Sequence, residues 1–191
     1  KIGRRLAIKI LNASRFALGF VADAPLDVDP SAVTRPLDRA MLLSLADLVD
    51  EATRAFENFD YARALERTEA WFWTFTDDHV ELVKTRAYEG SAPDAQSARH
   101  ALRLAISTLL RLFAPFLPFV TEEVWSWAFA EETGHASIHT APWPSAADLE
   151  GIAAPDGDRS FDLALAAHAA INKAKADGEV SMGRDVTSLT L

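Results

Sequence analysis

The sequence predicts a mainly α-helical protein, a helical bundle followed by a helix and a strand that begin a small α/β appendage. Three observations carry this reading. Apolar residues recur at steps of three and four through six segments. Stretches rich in Pro, Gly and Asp punctuate those segments at 22–34, 90–93 and 134–157. A short alternating, β-branched run, DVTSLTL, closes the chain at 185–191.

The first helix covers residues 1–20, KIGRRLAIKILNASRFALGF. At 100° per residue, Ile2, Leu6, Ile10, Ala13, Ala17 and Phe20 form a stripe for burial. Lys1, Arg5, Lys9, Asn12 and Phe16 run at the same steps beside it, flanked by Arg4 and Arg15, with Ile8 intruding. The second helix starts at Pro36, a favoured first-turn residue, and runs to about Phe56 on Leu37, Met41, Leu45, Leu48, Ala52 and Ala55. A third, from about Asp60 to Tyr88, is long for a globular helix, and its TFTDD stretch marks a bend. The fourth takes Asp94 as its cap and Ala98, Leu102, Ala105, Leu109 and Leu112 as its stripe, and Pro115 ends or kinks it. A fifth follows Pro118, with Glu122 and Glu123 near its positive end, and stops at Gly134. After an irregular stretch, a sixth runs from Arg159 to about Asp177 and stops at Gly178.

A chain of 191 residues suffices for one core plus the start of a second unit. The division read here is a bundle over 1–145, a linker over 146–158 and a junction segment over 159–191. The apolar runs are interrupted well short of a membrane span, so no membrane is expected as partner. Cysteine is absent, which removes thiolate chemistry and cysteine zinc sites and is compatible with a reducing compartment. The cytoplasm is the expected location. Lys1 stands where Met would open a chain, and no secretory hydrophobic region follows it, so the sequence reads as a segment of a larger protein.

The formal net charge of −9 argues against generic nucleic-acid binding. Its distribution weakens that objection: residues 1–20 carry +5, residues 21–60 carry −6, and residues 118–160 carry −7. On the first helix, arginine and lysine suit phosphates, asparagine suits a base edge, and an exposed Phe16 suits stacking on an unpaired base. The same face also reads as a domain interface or as a solvated complement to the acidic second helix. Trp71, Phe72 and Phe75 read as core, whereas Trp73 and Trp127 lie off the main stripes and are expected at the surface. Asp77, Asp78 and Glu81, with His79 among them, read as a solvated charged face rather than a metal or acid/base site. No matching carboxylate and histidine pair stands elsewhere. His135 and His139 sit in GHASIHT, where no helix is expected to join them. The chain carries no Gly-rich phosphate loop or nucleophile motif, so no catalytic and no metal-binding residue is expected.

Several strings are more specific. ILNASRFAL, WFWTFTDDHVELVKTRAY, LLRLFAPFLPFVTEEVWSW and SIHTAPWP occur in the order seen in valyl-tRNA synthetases, which the chain resembles over nearly its whole length. INKAKADGEVSMGRDVTSLTL resembles the segment after that family's helical anticodon-binding domain. The isoleucyl and leucyl enzymes share variants of these motifs, and they remain alternatives beside a helical protein-interaction module. The resemblance implies a class I enzyme that joins valine to its tRNA using ATP and Mg. Its catalytic and editing domains lie outside these residues and no cofactor is expected within them. It implies recognition of anticodons ending in A and C by Asn12, Arg15 and Phe16. Lys9, Arg5 and Lys1 follow as backbone contacts, and Lys173 and Lys175 as a basic pair near the junction. The implied partners are valine-accepting tRNA, through its anticodon loop, and the catalytic domain of the same chain.

Overall fold

The protein is described by a computed structural model covering residues 2–20, 30–89, 92–155, 160–181 and 183–188. Lys1, Arg159 and the final residues 189–191 of the expected strand lie outside the described residues. Seven α-helices are described: α1 (Ile2–Leu18), α2 (Pro36–Glu57), α3 (Tyr61–Thr74), α4 (Val80–Glu89), α5 (Ala92–Phe113), α6 (Pro118–Thr133) and α7 (Ser160–Asp177). The third segment of the sequence is one helical rod interrupted by a π turn, Phe75–His79, which joins α3 to α4 where the TFTDD stretch marked a bend.

The helix ends follow from local chemistry. Pro36 and Pro118 open α2 and α6, where a missing N–H costs nothing. Asp60 caps α3 by accepting the Arg63 N–H at 3.1 Å. Gly134 takes a left-handed φ of 71° to end α6. The end of α2 is less ordinary. Phe59 donates its N–H to Phe56 at 3.0 Å, and Asp60 donates to Ala55 at 2.8 Å, which is the Schellman pattern with phenylalanine at its left-handed position (φ 61°).

The bundle is built around α5. All five residues of its predicted stripe are buried, together with Ala101, Ile106, Leu110 and Phe113, and it touches α1, α2, α3, α4 and α6. Met41, Leu45, Leu48 and Ala52 of α2, Phe72 of α3, Phe75 of the π turn and Trp125 of α6 complete the core. Among the described residues charge is buried at Arg103, which pairs with Glu132, and at Asp38. Arg86 of α4 donates an N–H from each terminal guanidinium nitrogen to Asp38 of α2 at 2.7 Å, and Ser97 of α5 donates its hydroxyl to the same carboxylate at 2.7 Å. The Ser97 oxygen in turn accepts the N–H groups of Thr34 and Arg35. That cluster fixes where α2, α4 and α5 meet.

Residues 135–155 are irregular, with two short 3-10 turns, Ile138–Thr140 and Ala146–Leu149. They are nonetheless pinned to the bundle. Glu122 accepts from Ser137 and from the Ile138 N–H, Trp143 donates to Thr53, and Arg111 pairs with Asp148. Helix α7 packs on α2 and the π turn. The strand expected at 185–191 requires correction: no described residue is in a strand, and Asp185–Ser188 instead line a groove along α7 with Ala170, Ile171 and Ala174. β-branched alternation makes a strand only where a second strand satisfies its N–H and C=O groups, and here a helix is the neighbour.

Candidate nucleic-acid interface

Helix α1 sits in a trough. Leu6, Ile10 and Ala17 of the apolar stripe are buried beneath it, where α1 meets α5 and α6; Ser14 is buried with them, while Ala13 and Phe20 of the stripe are half-buried. Its basic face turns outward, and its cations are held by neighbours far away in sequence. The Arg5 guanidinium lies over the Trp73 ring at 5.0 Å, the Lys9 ammonium over the same ring at 5.7 Å, and the Arg15 guanidinium over Trp127 at 5.6 Å. Each tryptophan is itself anchored by a glutamate four residues earlier. Trp73 donates its Nε1–H to Glu69 at 3.2 Å and Trp127 donates to Glu123 at 3.1 Å. Cation–π contact orients a guanidinium without neutralising it.

Arg4, Arg5 and Arg15 are exposed, and none forms an ion pair among the described residues. Elsewhere the arginines divide: Arg39 and Arg99 donate to backbone carbonyls, Arg54 and Arg184 form no ion pair among the described residues, and six others are paired. Arg35, Arg63, Arg67, Arg86, Arg103 and Arg111 each face a carboxylate. Lys9 is intermediate, half-buried and bonded to Asp77 at 2.7 Å. Asn12 is exposed on the same ridge. An acidic protein therefore keeps a cationic ridge on one helix, with an amide beside it.

Phe16 differs from the expectation of an exposed ring. It is half-buried and meets Phe20 edge-on at 4.9 Å and Tyr88 at 5.7 Å, while Phe20 and Tyr88 are 4.7 Å apart. Tyr88 is 63 % exposed, so it presents the accessible ring of this cluster. Sequence reasoning missed it, because its partners are supplied by a helix some seventy residues upstream rather than by local periodicity. Trp127 is exposed as expected, whereas Trp73 is half-buried against the core, and the pairing of either with cations was not legible.

Lys173 and Lys175 belong to α7, whose main contacts are with α2 and the π turn. Lys173 is exposed, and Lys175 lines the groove with Val180 and Val186. The π turn disperses the charges around His79. Asp77 faces Lys9, Asp78 accepts from the Nδ1–H of His168 at 3.0 Å, and Asn172 Nδ2 approaches the other ring nitrogen of His168 at 3.1 Å. His79 points inward, fully buried against Phe75 and Phe161, and burial lowers its pKa from 6.5 to about 4 despite Asp38 at 4.0 Å. Among the described residues no three His, Cys, Asp or Glu side chains gather as a metal site, and no helix is long and apolar enough to cross a membrane.

A helical bundle with one cationic ridge on an acidic body is an architecture suited to binding a structured polyanion. The chain belongs to the family of anticodon-binding domains of tRNA ligases, whose family model matches residues 38–190. It is similar to the valine–tRNA ligase of Thermobifida fusca (strain YX), 52% identical over 193 residues that cover all of this chain and 21% of the relative. It is likewise similar to the valine–tRNA ligases of Leifsonia xyli subsp. xyli (strain CTCB07), 55% identical over 148 residues with 78% and 16% covered, and of Salinispora arenicola (strain CNS-205), 48% identical over 209 residues with 100% and 23% covered. The chain thus spans about a fifth of the length of these curated relatives. Helix α1 precedes the stretch matched by the family model but falls within the stretch aligned to the first and third relatives.

Proposed function

We propose that this chain is the anticodon-binding region of a valine–tRNA ligase and that the outward face of α1 receives the anticodon arm of valine-accepting tRNA. One observation supports this most: a single helix of an acidic chain gathers Arg4, Arg5 and Arg15, all exposed and without a carboxylate among the described residues, whereas six arginines of the body are paired. Arg5, Arg15 and Lys9 hold phosphates; the backbone contact expected of Lys1 lies outside the described residues. Asn12 reads a base edge beside them, and Phe16 and Tyr88 supply ring surface to an unstacked base. Lys173 and Lys175 contribute a secondary basic contact from α7. Activation of valine with ATP and Mg belongs to the remainder of such a ligase, which meets this region as a same-chain partner and works in the cytoplasm.

Binding of a valine-accepting tRNA transcript, followed by fluorescence anisotropy across salt, tests the assignment. Arg15→Ala should weaken binding and flatten the log–log salt slope by roughly 0.7 to 1, the signature of one lost phosphate contact. Binding and slope identical to those of the parent chain would remove α1 from the interface. Equal affinity for non-cognate tRNA would favour a general polyanion or protein contact instead.

A further inference from the structure

Lys9 differs from the other cations of α1. Arg5 and Arg15 rest on neutral tryptophan faces, but Lys9 also carries a carboxylate partner, Asp77 Oδ1 at 2.7 Å. The π turn supplies that partner. It carries Asp77, Asp78 and His79 in succession, and they face α1, α7 and the core respectively. Asp77 remains 55% exposed in its side chain and accepts a further bond from Thr76 at 3.2 Å, so it is oriented by the protein yet open to solvent. An ammonium 2.7 Å from a carboxylate oxygen has the geometry of an ammonium on a phosphate oxygen. A phosphate reaching Lys9 has to compete with a resident anion, and exposed pairs of this kind are weak enough to exchange.

We propose that Asp77 is an intramolecular stand-in for an RNA phosphate: it holds Lys9 on the α1 ridge in the free protein and yields it when RNA arrives. Asp77 is then a positioning residue that lowers the affinity of the ridge for polyanions and flattens its salt dependence. The inference rests on the reading of α1 as the RNA face.

The test uses the whole chain with a valine-accepting tRNA transcript and a non-cognate one, titrated from about 50 to 200 mM salt. Asp77→Asn should bind about 1.5- to 5-fold tighter, the factor that an exposed ion pair represents. Its salt slope should steepen by roughly 0.7 to 1, so that affinity falls about 3- to 4-fold further across that range. Asp78→Asn makes the same change of charge beside it but faces His168, and should have a smaller effect on both quantities. In a Lys9→Gln background, Asp77→Asn should gain nothing. Asp77→Ser, read the same way, guards against an effect peculiar to asparagine, and circular dichroism melts verify that each variant is folded. Unchanged affinity in Asp77→Asn, or an equal gain with Lys9 replaced, overturns the proposal. If the parent chain does not prefer valine tRNA but Asp77→Asn still tightens polyanion binding through Lys9, the functional reading fails and this inference stands. If the preference is present and Asp77→Asn is silent, the reverse holds, and a parent that binds neither RNA sinks both.

Discussion

Replacing Asp38 by alanine removes the acceptor at the centre of the buried cluster that joins α2, α4 and α5. Its carboxylate is inaccessible and accepts two N–H groups of Arg86 and the Ser97 hydroxyl, all at 2.7 Å. Breaking a buried ion pair from one side costs about 3–5 kcal/mol because the surviving charge is left without compensation. Arg86 retains some solvent access, its side chain being 22% exposed, and Ser97 still receives the Thr34 and Arg35 N–H groups. The loss should therefore sit near the lower end, about 3 kcal/mol. For a chain of this size that corresponds to a fall in melting temperature of roughly 6–12 °C. Urea denaturation followed by circular dichroism measures it directly, and the double variant Asp38→Ala/Arg86→Met should recover part of the loss by removing the orphaned charge. A destabilisation below about 1 kcal/mol in Asp38→Ala would refute the assignment of this cluster as the clamp between the three helices.

Phe59→Gly should stabilise the chain by about 0.5–1 kcal/mol, since glycine adopts the left-handed position that phenylalanine occupies here at φ 61° while leaving its ring 79% exposed. A lower urea midpoint for the glycine variant would contradict the Schellman reading. His79 gives a pH prediction with a definite sign. Burial holds its folded pKa at about 4, below the ordinary 6.5, so the unfolded chain binds the extra proton in that window and stability falls as pH drops from 6.5 towards 4. His79→Leu should flatten this dependence when urea midpoints at about pH 7 and pH 5 are compared with those of the parent, and an undiminished slope would show that other groups carry it.

The bundle was legible because its helices obey local rules. The stripe of α5, the proline starts of α2 and α6 and the glycine stop of α6 depend on residues a few positions apart, and the structure places them as the periodicity required. The TFTDD bend was visible as a break in pattern, but its form, a π turn that deals Asp77, Asp78 and His79 to three neighbours, depends on α1, α7 and the core together. DVTSLTL shows the converse, since its local preference was real and lacked a strand to pair with among the described residues. The candidate site divides the same way. The ridge of Arg5, Lys9, Asn12 and Arg15 is a property of one helix and could be drawn from 100° steps. The tryptophan faces under its arginines, the carboxylate on Lys9 and the ring of Tyr88 against Phe16 are long-range contacts, and no spacing within α1 encodes them.

The most direct test of the α1 face as an anticodon reader is the affinity of the chain for valine-accepting tRNA against transcripts altered only at the second or third anticodon base. Specific reading predicts a loss of about 1–3 kcal/mol for each altered base, roughly 5- to 150-fold, with the salt slope unchanged because the phosphate contacts persist. Equal affinity for the altered and unaltered transcripts would contradict the account, leaving α1 a cationic ridge that holds RNA without reading it.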